Sequence, residues 1–198
     1  MLTHNFAIDL AAEKTYDKFW IPHYKNIFRN ALKFETVTDI PSQKLGIDRI
    51  VHYNHKIIKT QDKLRLKNYN DFCFELWSDE ASQKLGWSEQ NLDCDILLYG
   101  IYPADIVYYF NWETLKSVWT TNRIEWIAKY LIPKPVLNYS NGSSWHTRIV
   151  AVPMAALNSK IDIRVSEVQL KFLPIPITTN SNIISTSSNS SNTSTSTN

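Results

Sequence analysis

The sequence predicts an α/β (α+β) fold, on three observations. Residues 45–77, LGIDRIVHYNHKIIKTQDKLRLKNYNDFCFELW, hold three strand-like runs separated by turn formers. Two further runs, 95–101 and 106–112, are rich in Ile, Leu, Val, Tyr and Phe and fit strands buried on both faces. Apolar residues recur at helical spacing over 5–33 and again over 114–131. With 198 residues, 43% of them hydrophobic and seven of them tryptophan, the chain has material for one well-cored domain, placed at 1–177.

In the first helical segment the apolar set is Leu10, Tyr16, Phe19, Trp20, Tyr24, Ile27 and Phe28. Pro22 is expected to break or re-aim it, because proline cannot donate an intrahelical bond and restricts the residue before it. Glu13 and Asp17, four apart, share a face; an acid there ordinarily reads as a solvated group near a helix start. Residues 34–46 read as a short extended piece followed by a loop punctuated by Pro41 and Gly46.

Strands are then expected over 48–53 and 56–65, joined by the turn pair Asn54-His55, with a third over 71–77. Side chains alternate across a strand, so Ile57, Lys59, Gln61, Lys63 and Arg65 share one face, and Ile58, Thr60, Asp62 and Leu64 the other. A strand face bearing several cations is most often simply solvated. Bringing Asp48 across from Gln61 and Lys63 instead gathers a carboxylate, a carboxamide oxygen and an ammonium, a set able to hold a hard divalent cation. In the third strand Phe72, Phe74 and Leu76 seek the core. Asp71 and Glu75 point the other way, as partners orienting Lys63, as extra metal ligands, or as ion pairs with Lys59 or Arg65.

A net charge of +2 leaves no general positive field, so any nucleic-acid contact must come from a local patch, which Lys56, Lys59, Lys63, Arg65 and Lys67 supply. Cys73 and Cys94 lack CxxC spacing and read as reduced buried thiols. His52 and His55 straddle a turn without further ligands and read as surface histidines. The opening MLTHNFAIDLAAEK is neither basic nor continuously apolar, so a soluble, intracellular, non-secreted protein with no membrane partner is expected. The tryptophans of 114–131 read as core anchors. Residues 137–147 read as an exposed loop turning at Asn141-Gly142, followed by a strand over 146–152 and a short helix over 154–158. The Ser/Thr/Asn-rich stretch 178–198 is expected to be disordered, because it cannot bury enough apolar surface to offset chain entropy.

The order Gly46-Ile47-Asp48, a turn, then Gln61-Asp62-Lys63 on the next strand resembles the PD-(D/E)xK nuclease superfamily. The run 48–79, with Gly86-Trp87 and the strand at 95–99, is similar to a branch of these nucleases from phage and bacterial sequences. The resemblance spans residues 5–100. It implies a restriction-endonuclease-like core, a mixed β-sheet flanked by helices, built from a helix, a hairpin, another strand, and a further helix and strand. It also implies catalytic roles for Asp48, Gln61 and Lys63, with Asp48 and Gln61 binding Mg²⁺ (or Mn²⁺) and Lys63 positioning the attacking water. Glu13 on the first helix, and Asp71, are the candidates for further metal ligands. Lys59, Arg65 and Lys67 would meet the nucleic-acid backbone, DNA in preference to RNA, and a homodimer is compatible with cutting two strands. Ile47 stands where the family has proline, and Gln61 where it has an acid. A glutamine carbonyl ligates a cation without adding charge. A catalytically inert, nuclease-like module binding nucleic acid or protein is therefore the alternative reading.

Overall fold

In a computed structural model, which describes residues 6–140 and 143–168 (the side chains of 6–15 and of Ser140 excepted), the alternating stretches form an antiparallel meander. Strand β1 (Lys33–Thr36) pairs with β2 (Arg49–His52), and β2 with β3 (Ile57–Arg65), in the register Arg49↔Thr60. The chain then leaves this sheet. Strand β4 (Asp71–Asp79), followed by the two-residue β5 (Lys84–Leu85), belongs to a second sheet. Strand β6 (Ile96–Ile101) returns parallel to β3, with Gln61 beside Leu97 and Lys63 beside Tyr99.

A single 3₁₀ turn at Tyr102–Ala104 and a left-handed Asp105 lead into β7 (Ile106–Asn111), antiparallel to β6. The first sheet is thus mixed and six-stranded, in the order β1-β2-β3-β6-β7-β10, with β10 at Arg164–Glu167. The second has the order β5-β4-β9-β8, from β8 (Val136–Ser140) and β9 (Ser143–Pro153).

Helix α1 (Phe6–Ile27) covers one face of the mixed sheet, where Phe19, Trp20, Tyr24 and Phe28 pack with Val51, Leu98 and Val107. The other face carries Leu97, Tyr99, Ile101 and Phe110. It packs against Phe72, Phe74, Val150 and Val152 of the second sheet and against Trp119 and Trp126 of α3 (Trp112–Tyr130). Both faces of β6 are therefore buried along nearly its whole length and those of β7 in part, close to what their composition predicts, and the tryptophans of α3 are core anchors. The chain is α/β, with a mixed sheet flanked by helices. Among the described residues no helix is long and apolar enough to cross a membrane.

Several expectations are corrected. Helix α1 runs through Pro22. Phe19, Trp20, His23 and Tyr24 on either side are all buried, and such burial, at about 1.5–3 kcal/mol for a large apolar side chain, outweighs the roughly 3 kcal/mol cost of an internal proline. The third strand of the 45–77 stretch pairs with β9, in the register Cys73↔Ala151, and with β5, and not with the preceding strand β3. No helix lies between β3 and β6, where the resemblance implies one. The stretch read as an exposed loop at 137–147 is largely a β8–β9 hairpin. Its turn residues Asn141 and Gly142, and the stretch 178–198, lie outside the described residues.

Candidate functional site

Asp48 is positioned by the short segment before it. Asp39 caps helix α2 (Ile40–Lys44), its carboxylate accepting the Ser42 N–H at 2.9 Å. Gly46 then takes φ +77, a left-handed conformation that favours glycine; a Cβ there would also press on the Leu92 side chain, 2.8 Å from Cδ2. The Asp48 N–H donates to Thr60 O at 2.8 Å, and its carbonyl accepts the Val37 N–H at 2.9 Å. This fixes Asp48 just ahead of β2, in step with Gln61, and its Oδ2 accepts the Asp62 N–H at 2.7 Å.

Gln61 and Lys63 point into the space between the two sheets, so this face of β3 is not the solvated surface that its charges alone would indicate. Gln61 is 5% exposed, and among the described residues its buried Oε1 meets no donor. Lys63 Nζ lies 5.7 Å from the centre of the Trp87 ring, within cation–π range. Glu75, reaching from β4, belongs to the same neighbourhood: burial pushes its carboxyl above the usual range, while Lys63 and a Trp87 backbone hydrogen bond pull it down. The turn carrying Trp87 comes so close that a Cβ on Gly86 would sit 2.0 Å from Glu75 O.

The Cys94 thiol, pushed up to about 12 chiefly by burial, also senses Asp95, Asp48 and Lys63. It lines a cleft of about 540 Å³ with Asp93, Asp95, Trp112 and Lys116. Asp48, Gln61 and Lys63 are not among the residues lining this recess beside α3.

The remaining sequence candidates scatter. Asp71 is bound by Arg65 at 3.3 Å, at the C-terminal end of β3, four residues beyond the Gln61 that Asp48 faces. Arg65 also donates to Cys73 Sγ at 2.6 Å and stacks 5.4 Å from the Tyr69 ring. Lys59 is held by Asp93 at 2.7 Å, while its backbone N–H donates to Asp95 at 2.7 Å. Lys67 is exposed. Glu13 belongs to α1, and its side chain lies outside those described. Among the described residues no group of three or more His, Cys, Asp or Glu side chains converges as a metal site. Asp48 and Gln61 offer oxygen donors, the atom type that a hard cation such as Mg²⁺ takes, with one Asp48 oxygen already accepting the Asp62 N–H.

Sequence reading missed the polar network behind the site, on the α1 face. Arg49 donates to Asp62 at 3.0 Å and to Thr36 at 3.0 Å, and it pairs with Asp17 of α1. Tyr24 donates to Asp62 at 2.6 Å. Burial pushes the Asp62 carboxyl up to about 6 despite Arg49 and Tyr24. Burial opposes the Arg49 charge, yet Asp62 and Asp17 hold its pKa above the ordinary arginine value. The one hint in the sequence is an arginine placed immediately before the apolar pair Ile50-Val51 of β2.

His23 forms a second missed group: its Nδ1 meets Ser166 Oγ at 3.1 Å and its Nε2 meets Asp105 Oδ1 at 3.1 Å. The order suggests a nucleophilic triad, but His23 is fully buried and Ser166 nearly so. With no room for a substrate carbonyl beside the hydroxyl, the group fastens α1 to β7 and β10.

Comparison with protein-family models, with curated proteins and with solved structures finds no match for this chain.

Proposed function

We propose that this chain is a divalent-cation-dependent nuclease with a restriction-endonuclease-like core, hydrolysing phosphodiester bonds in DNA in preference to RNA. The observation that carries the reading is the buried Gln61 Oε1, left without a donor, in step with the Asp48 carboxylate and two residues before Lys63. An orphaned buried acceptor costs about 1–3 kcal/mol, and a bound cation relieves that cost. Part of the order of elements supports the same reading: a helix, a three-stranded meander, and then a strand parallel to β3, which carries Gln61 and Lys63; the helix that the resemblance implies before that parallel strand is replaced by β4 and β5 of the second sheet.

Asp48 and Gln61 would hold Mg²⁺ or Mn²⁺ through oxygen. Bound there, the cation supplies Lewis acidity toward a phosphoryl oxygen and a water of lowered pKa. Lys63, steadied over Trp87 and facing Glu75, stands where an ammonium can orient a nucleophilic water or offset charge on the scissile phosphate. Lys67 is available to a backbone phosphate; Lys59 and Arg65 must exchange Asp93 and Asp71 for one, which makes their contacts weaker and salt-sensitive.

A second reading, an inert nuclease-like binding module, is favoured by one specific feature: the position beside Asp48 carries an amide where a charged ligand would hold the cation more tightly. The deciding experiment is cleavage of labelled single-stranded, duplex and branched DNA by the wild type and Lys63→Ala, with Mg²⁺, Mn²⁺ or EDTA. Metal-dependent cutting lost in the variant supports the nuclease. A folded protein that binds DNA but cuts none of the substrates supports the inert module.

A further inference from the structure

A recess of about 710 Å³ opens on the α1 face of the mixed sheet, away from Lys63. It lies between the end of α1, the starts of β3 and β6, the end of β7 and the segment leading into β10. That volume falls in the range of small-molecule sites, about 300–1,000 Å³. Its apolar lining includes Ile27, Tyr53, Ile58, Ile96, Tyr109 and Ile161, all only partly buried. Five of these border the α1 core, so the recess is a wall of that core that no described residue covers.

The polar lining is biased in sign. Lys160 and Arg164 stand exposed on one side, and neither is within salt-bridge distance of a described carboxylate, though Glu125 feels the Lys160 charge; Asp162 is the one carboxylate among the lining residues. Asn111 and Thr114 bring the N-terminus of the 19-residue α3 to the same opening. Asn111 Oδ1 caps the Thr114 N–H at 2.9 Å, and Glu113 in the first turn offsets the helix field, so the positive bias of the recess rests on its side-chain cations. Lys56, 5.4 Å from the Tyr53 ring, contributes a further cation at the edge.

We infer that this recess binds an amphipathic organic anion, a small molecule whose flat or chain-like apolar body lies over Ile58, Ile96 and Tyr109 and whose anionic group faces Lys160 and Arg164. A neutral apolar ligand would cover the floor but leave the cations unanswered. A compact inorganic anion would leave the floor wet. The site does not depend on nuclease chemistry on the opposite face.

The test is a fluorescence titration of the full chain with 8-anilinonaphthalene-1-sulfonate and with its uncharged analogue N-phenyl-1-naphthylamine. Methyl chemical-shift mapping by NMR accompanies it. The sulfonate is expected to bind saturably at one site, shifting the methyls of Ile27, Ile58 and Ile96. Uncharged analogue and K160Q/R164Q variant should each show affinity lower by about tenfold, the equivalent of one charge-assisted contact. Shifts centred elsewhere, binding that does not saturate, or equal affinity for the charged and uncharged probes overturns the proposal. Because the wild-type mapping and the probe comparison need no variant, poor folding of K160Q/R164Q would not rescue it.

Discussion

Replacing Gln61 with Met tests whether its buried amide oxygen is held in readiness for a cation. Met is close to Gln in length and volume and removes the polar end without opening a large cavity. If Oε1 is unsatisfied in the cation-free protein, its removal returns about 1–3 kcal/mol of desolvation cost. For a chain of this size 1 kcal/mol shifts Tm by roughly 2–4 °C, so Gln61→Met should melt at least about 2 °C higher than the wild type in EDTA. Magnesium should act in the opposite order. At tenfold excess over its Kd a ligand specific to the folded state adds about 1.4 kcal/mol, roughly 3–6 °C in the wild type and close to nothing in the variant. Differential scanning calorimetry in EDTA and across a Mg²⁺ series reads both effects. A variant that melts lower than the wild type in EDTA would show that Oε1 is already paired, through an ordered water. A Mg²⁺ shift that persists undiminished in Gln61→Met would place the cation elsewhere, and either result refutes the reasoning.

Asp62, with its carboxyl pushed up to about 6 by burial, binds its proton more tightly folded than unfolded, where the value is about 3.9. Its contribution to stability is therefore greatest at low pH and is lost as pH rises from about 4 to 6; urea denaturation across that window should show this downward component, absent from Asp62→Asn. Arg49→Leu leaves Asp62 buried beside Tyr24 without its cation, an expected loss of about 3–5 kcal/mol; adding Asp62→Asn should restore part of it in a double-mutant cycle, and simple additivity would show that the two do not act as a pair. Gly86→Ala drives a methyl to 2.0 Å from Glu75 O; the backbone must move, so a loss above about 3 kcal/mol is expected by chemical denaturation, of the size reserved for steric or burial defects, and near-wild-type stability would mean that the turn can open without cost.

Local chemistry made much of the fold legible. Alternation with the Asn54-His55 turn marks the β2–β3 hairpin, and the Ile/Leu/Val/Tyr/Phe runs around Tyr102-Pro103 mark β6 and β7 within a residue of their observed ends. Periodicity finds α3 and its buried tryptophans. What was not legible depends on partners distant in sequence. Cys73 pairs with Ala151 across an interval with no local signal, so β4 looked like the next strand of the meander when it is the centre of another sheet. Pro22 is a strong local breaker overruled by the burial of Phe19, Trp20 and Tyr24, a tertiary effect invisible to propensity.

The same distance explains why the candidate site was half readable. Asp48, Gln61 and Lys63 lie on adjacent strands, so a two-residue side-chain period and one turn are enough to bring them together. Whether their shared face is wet depends on β4 and on the Gly86-Trp87 turn. Those elements turn the lysine-bearing face into an inter-sheet space in which Gln61 is sealed and Lys63 lies over an indole. A lysine on a solvated strand would keep its hydration and orient nothing. Over Trp87 and beside Glu75 it loses part of that hydration and is held to one region. The enclosure supplied by the second sheet is therefore what distinguishes this face from an ordinary charged strand, and the proposed positioning of water and phosphate depends on it as directly as on the three residues themselves.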